Sequence, residues 1–140
     1  MTRLLIIDDH AVVRQGLIQA FTNKGFALIE TAAHIKEARA KIAAFNPQAI
    51  IVDLNLPDGS GLEIVQWVRK FSADIAIIIL SLNEPAQFVK VARSSGANAY
   101  LSKSQSMPEI ISSVSFALAN PGSFTSTLTT DQPLDFDLTP

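Results

Sequence analysis

The sequence predicts a doubly wound α/β domain, a five-stranded parallel sheet with helices on both faces. Three observations predict it. Short β-rich runs alternate five times with segments of helical apolar spacing. Three of the runs are nearly continuous apolar stretches, as strands covered on both faces of a parallel sheet require. Turn residues fall where the alternation needs a break.

Leu4–Ile7 reads as the first strand, and Val13, Leu17, Ala20 and Phe21 share one face of the first helix. Ala27–Thr31 is the second strand. Ile35, Ala38, Ile42 and Phe45 line the second helix, which Asn46-Pro47 closes because the residue before proline disfavours helical geometry. Ala49–Val52 is the third strand, and Pro57-Asp58-Gly59-Ser60-Gly61 is the loop beyond it. Leu62, Val65 and Val68 mark the third helix, and Ile75–Leu80 the fourth strand. Glu84-Pro85 suits the first turn of a fourth helix carrying Phe88, Val89 and Ala92. Ala99–Leu101 is the last strand. The fifth helix opens on the capping-box pattern Ser106-Met-Pro-Glu109 and aligns Met107, Ile110, Ile111, Val114 and Leu118. Asn120-Pro121-Gly122 ends it. Residues 121–140 are rich in Thr, Ser, Asp and Pro without apolar periodicity, so residues 1–120 read as one domain and 121–140 as a linker.

Composition narrows the function. A length of 140 residues supports one core, and 48% apolar with 17% charged residues is ordinary for a globular chain. A net charge of −2 argues against a nucleic-acid or anionic-membrane surface. The lack of cysteine removes disulfides, thiolate catalysis and the usual structural zinc sites. The longest apolar stretch, Ile75–Leu80, is far short of a membrane span, and Met1-Thr-Arg3 leads straight into a strand, unlike a signal peptide. A cytoplasmic location without membrane attachment is therefore expected.

In open parallel sheets, function gathers beyond the carboxyl ends of the strands. Here those ends carry Asp8-Asp9, Asp53, Ser81 and Lys103. Three carboxylates near one point repel one another unless a cation neutralises them, and hard oxygen donors with room for water favour Mg2+. Such a site lets a carboxylate act as nucleophile towards phosphorus, with an ammonium and a hydroxyl to receive phosphoryl oxygens. Singly, each residue has a plainer role: Asp8 or Asp9 as a helix cap, Asp53 in turn chemistry, Ser81 and Lys103 as solvated or structural groups. Their joint placement at strand ends is what capping and turns do not explain. His10 borders the acidic group as an accessory residue, and His34 reads as a surface residue; neither has metal-ligand spacing.

Leu4-Leu-Ile-Ile-Asp-Asp-His10, Ile50-Ile-Val-Asp-Leu-Asn-Leu-Pro-Asp-Gly-Ser-Gly-Leu62, Ile79-Leu-Ser81 and Gly96-Ala-Asn-Ala-Tyr-Leu-Ser-Lys103 come in that order and spacing. With them, residues 2–120 resemble the receiver domain of two-component response regulators, a flavodoxin-like (βα)5 fold. The resemblance implies that Asp53 accepts a phosphoryl group from a sensor histidine kinase. Asp8, Asp9, Asp53 and the backbone carbonyl of Asn55 would hold Mg2+. Lys103 and Ser81 would read the phosphoryl group, with Asp53 and Lys103 the catalytic pair. Tyr100 would turn in as Ser81 moves, so that the surface around the fourth helix, last strand and fifth helix changes for partners. Such a chain is a switch and not an enzyme beyond its own phosphorylation and dephosphorylation. Ser104 follows Lys103 where many members carry proline, and Asn55 and Asn83 occupy positions that tune phosphate lifetime. The resemblance is to the NarL/LuxR-type subfamily, whose DNA-binding domain commonly opens with Leu-Thr-Pro, the residues at 138–140 here. The expectation is a receiver and linker from a longer transcription regulator, dimerising on phosphorylation and touching DNA only through a further domain.

Two other readings fit less well. A Mg2+-dependent aspartyl-phosphate phosphatase of the haloacid-dehalogenase type needs Asp-x-Asp on its first strand, whereas Asp8-Asp9 has no spacer. A flavin- or nucleotide-binding module needs a Gly-rich loop there, and Asp8-Asp9-His10-Ala11 repels phosphate without a metal.

Overall fold

A computed structural model describes residues 1–82 and 87–126. Every expected strand is present within a residue or so of its expected limits: β1 (Arg3–Ile7), β2 (Leu28–Ala32), β3 (Ala49–Asp53), β6 (Ala76–Ser81) and β7 (Ala99–Ser102). Between them run the helices α1 (Ala11–Asn23), α2 (Ile35–Phe45), α3 (Gly61–Arg69), α4 (Gln87–Ser95) and α5 (Met107–Ala119). Glu84-Pro85 and Asn83 lie outside the described residues, as does 127–140.

All residues of β3 and β6 are buried, because helices cover both their faces. β2, by contrast, is only partly buried at the sheet edge. One face packs Leu4, Ile6, Ile51, Ile78 and Leu80 against α1 and α5. The other packs Leu5, Ile7, Ile50, Val52, Ile77 and Ile79 against α2, α3 and α4. Alternate residues of each strand thus belong to different cores, as a period of two dictates.

The sheet has six strands in the order β2-β1-β3-β6-β7-β8, all parallel, where the sequence predicted five. The sixth, β8 (Thr125–Ser126), lies in the stretch read as linker, so the ordered domain runs past residue 120. Main-chain pairing to β7 orders it, and pairing leaves no apolar signature in sequence. The loop after β3 also differs from expectation. It is a small hairpin of β4 (Asn55–Leu56) and β5 (Gly59–Ser60) turning at Pro57-Asp58.

Helix ends follow local chemistry. Asn46 closes α2 in the left-handed region (φ 53°), which asparagine tolerates and which escapes the α-region clash with Pro47. Ser106 caps α5, its hydroxyl accepting from Glu109 N and donating to Glu109 Oε1 at 2.8 Å. A full capping box forms at Ser60 and Glu63. His34 is more than a surface residue: its Nδ1 accepts from Glu37 N and caps α2. Every described peptide bond is trans, Lys103–Ser104 included.

Candidate functional site

Strand order reverses at β1, whose neighbours β2 and β3 are reached by crossovers to opposite sides. The carboxyl ends of β1 and β3 therefore flank the crevice where doubly wound sheets bind ligands. Asp8 follows β1 directly, and Asp53 ends β3. Both are buried. Asp9 stands at the rim, with its side chain one-third exposed. Carboxylate oxygens of Asp8, Asp9 and Asp53 and a ring nitrogen of His10 all lie within 4.8 Å of one another.

Lys103, just past β7, reaches into this group. Its Nζ donates to Asp53 Oδ2 at 2.9 Å and stands 3.0 Å from Asp8 Oδ2, which has no other polar contact among the described residues. The three side chains are 4% exposed or less, so an ammonium bridges two carboxylates almost out of solvent. Lys103 N also donates to Ser81 O at 2.7 Å, fastening the lysine's main chain to the end of β6.

One cation does not balance the cluster. Burial pushes the Asp53 carboxyl up, hydrogen bonds from Lys103 and from the Asn55 main chain pull it down, and the charge of Asp8 pushes it up again; it ends above its ordinary value. For Lys103, burial pulls the ammonium down, yet hydrogen bonds and charges from Asp53 and Asp8 outweigh it and raise it. Burial above all holds the Asp53 carboxyl against ionisation, while its carboxylate neighbours keep Lys103 charged.

Two features fit a further cation and a tetrahedral anion. The gathered carboxylates supply hard oxygen ligands of the kind Mg2+ takes. Ser81, one residue past the position paired with Asp53, is buried, and its hydroxyl has no hydrogen-bond partner among the described residues. Such an orphan group costs stability unless a partner arrives. Asn55 is exposed at the start of β4, and its N–H donates to Asp53 Oδ1 at 3.2 Å, so its main chain borders the carboxylate. His10 sits beside the cluster as expected, with Nδ1 2.9 Å from Asp8 Oδ1 and 3.2 Å from Lys103 Nζ. Neither Asp8 nor Asp9 caps α1 from the N-cap position, which is His10; Asp8 Oδ1 does accept from His10 N.

Tyr100 is fully buried, turned in, within the core formed with α2, α3 and α4. Three positioning residues carry no strong sequence signal. Arg14 Nη1 donates to Asp8 O at 2.6 Å. Gly61 N donates to Leu54 O, and a Cβ at Gly61 would collide with Asp53 O. Asn98, in the motif before Tyr100, is buried and accepts on Oδ1 from Ile77 N and Arg69 Nη2. The glycine of a Pro-Asp-Gly-Ser-Gly loop hints at close approach, but nothing in sequence names its partner.

Residues 4–115 match the response regulator receiver domain family. The chain belongs to it. KdpE, the KDP operon transcriptional regulatory protein of Escherichia coli, is 33% identical over 118 residues, covering 84% of this receiver chain and 52% of that protein. The DNA-binding transcriptional activator DevR/DosR of Mycobacterium tuberculosis is 29% identical over 104 residues, covering 74% and 48%. The receiver chain thus spans about half the length of the curated relatives it matches. Among solved structures, a LuxR-family two-component response regulator from an Aurantimonas species superposes with a TM-score of 0.82 at 26% identity, covering 91% of each chain. The fold and the receiver resemblance read from the sequence are both borne out.

Proposed function

We propose that this receiver domain is a Mg2+-dependent phosphorylation switch whose acceptor is Asp53. The observation that carries the reading is the buried bridge of Asp8, Lys103 and Asp53 with the orphan Ser81 hydroxyl at the neighbouring strand end. An Asp53 carboxylate oxygen attacks the phosphorus of a phosphohistidine; the P–N bond breaks and the imidazole leaves with the bonding pair. Lys103 takes one phosphoryl oxygen and Ser81 donates to another. Asp8, Asp9, Asp53 and the Asn55 carbonyl are the residues to hold Mg2+, which supplies positive charge against the phosphoryl oxygens.

Nothing in this chemistry needs a released product, so the chain acts as a switch and turns over only its own phosphate. The partners that fit are a sensor histidine kinase, a second copy of the chain in the phosphorylated state, and DNA through a further domain. Support for the last comes from relatives that are transcription regulators and from a LuxR-family DNA-binding response regulator of Staphylococcus aureus, superposing at a TM-score of 0.78 and 25% identity. No described helix is long and apolar enough to cross a membrane, which agrees with a cytoplasmic site of action.

Incubation with Mg2+ and acetyl phosphate should add one acid-labile phosphate by mass, absent in Asp53→Asn. Label that persists in Asp53→Asn, or release of many equivalents of phosphate per chain from an aryl phosphate, overturns the reading.

A further inference from the structure

After α5 the chain does not leave the domain. Asn120-Pro121-Gly122 reverses it, with Gly122 in the left-handed region (φ 85°) and Ser123 N donating to Asn120 O. Residues 125–126 then lie parallel to β7, pairing Thr125 with Ala99 and Tyr100 with Ser126. The switch tyrosine is thus flanked by this added strand on one side and by β6, which ends in Ser81, on the other.

Four contacts among the described residues hold the segment. Thr125 N donates to Asn98 O at 3.0 Å, and Asn98 Nδ2 donates to Ser123 O at 3.0 Å. Phe124 packs against the core that contains Tyr100, and Arg93 of α4 lies over its ring at 5.6 Å. Beneath runs an open cleft of about 440 Å3 between Arg69, Arg93, Asn98 and Gly122–Phe124. So short a strand, pinned at a few points over a cleft, sits at the low-stability end of a fold, where modest free-energy changes shift populations.

We propose that residues 120–126 form a clasp that closes over the β7 edge when Tyr100 is turned in, so that clasp closure and phosphorylation of Asp53 favour each other. The proposal rests on Asp53 as acceptor. Its pins reach both moving parts assigned to the switch: Arg93 belongs to α4, and Ser126 pairs with Tyr100 itself. Coupling of this kind is reciprocal. A phosphoryl group that holds Tyr100 inward orders the segment leading out of the domain, and weakening the clasp hinders phosphorylation. The output would then include a shortened, ordered connection to the chain beyond residue 126.

Amide exchange at Thr125 reads clasp closure directly, and mass reads phosphorylation. With Mg2+ and beryllofluoride, Thr125 protection should rise at least tenfold over the untreated protein. Phe124→Ala and, as a milder variant, Arg93→Gln should lower Thr125 protection and slow labelling by acetyl phosphate three- to tenfold, with unchanged circular dichroism. Thr125 protection that does not respond to beryllofluoride in fully labelled protein overturns the clasp and leaves Asp53 standing. Wild-type labelling rates in Phe124→Ala despite lost protection overturn the coupling. No label in the wild type would sink the acceptor reading and the clasp with it.

Discussion

Lys103 stands between two carboxylates that would otherwise face each other almost without solvent. Removing one partner of such a buried group leaves uncompensated charge, a loss of about 3–5 kcal/mol. Lys103→Ala should therefore lower the metal-free unfolding free energy from urea melts by an amount in that range, and Mg2+ should restore more stability to the variant than it adds to the wild type. The variant should still accept phosphate, slowly, but fail to form the activated-state dimer; normal dimerisation would remove Lys103 from the switch. Asp53 behaves oppositely. Its folded pKa lies above the ordinary 3.8, so the fold holds its proton more tightly than the unfolded chain does. That contribution is present in acid and is lost as pH rises through the folded pKa. Asp53→Asn should thus stabilise the metal-free protein at neutral pH, with the gain shrinking on acidification; a gain that is flat with pH would contradict the shift. The acidic residues, Ser81 and Lys103 were legible because strand ends collect them. Arg14 and Asn98 were not, since their partners, Asp8 O for the one and Ile77 N with the Arg69 guanidinium for the other, are brought up only by the folded approach.

Among the elements, the start of α3 is the most constrained. Ser60 and Glu63 close its box, and Gly61 lets the helix approach Asp53 O more closely than any Cβ permits. Gly61→Ala should cost about 1–3 kcal/mol through overpacking and slow phosphorylation by shifting the acceptor's main chain. Gly16, inside α1, offers a contrast: a Cβ there would meet only the flexible end of Met107 at 3.4 Å. Gly16→Ala should stabilise by about 0.5–1 kcal/mol in thermal melts, as alanine does in helix interiors, and leave phosphorylation unchanged. The long apolar strands and helices were legible because burial writes a periodicity into them. The β4–β5 hairpin and β8 were not, because each is two residues per strand joined by main-chain bonds.

The described residues form two apolar cores separated by a sheet, with the carboxylates of Asp8, Asp9 and Asp53 gathered at the carboxyl ends of its strands. The cores fix where Asp8 and Asp53 end up, so repulsion between them cannot be relieved by moving apart and must be met by cations. Lys103 supplies one positive charge against the three carboxylates of Asp8, Asp9 and Asp53. A ligand that binds only this folded arrangement stabilises it in proportion to the logarithm of its excess, about 2.7 kcal/mol at a hundredfold excess over its dissociation constant. Mg2+ should therefore raise the urea midpoint progressively with concentration, and chelator should reverse it. Asp8→Asn should flatten the dependence by removing both a ligand and part of the repulsion. Ca2+, with its longer bonds and larger coordination number, should compete for the oxygens but support less labelling from acetyl phosphate. Equal stabilisation of the wild type and Asp8→Asn by Mg2+ would show that the ion acts elsewhere, and the crevice at the β1–β3 switch point would lose its role as the metal's seat.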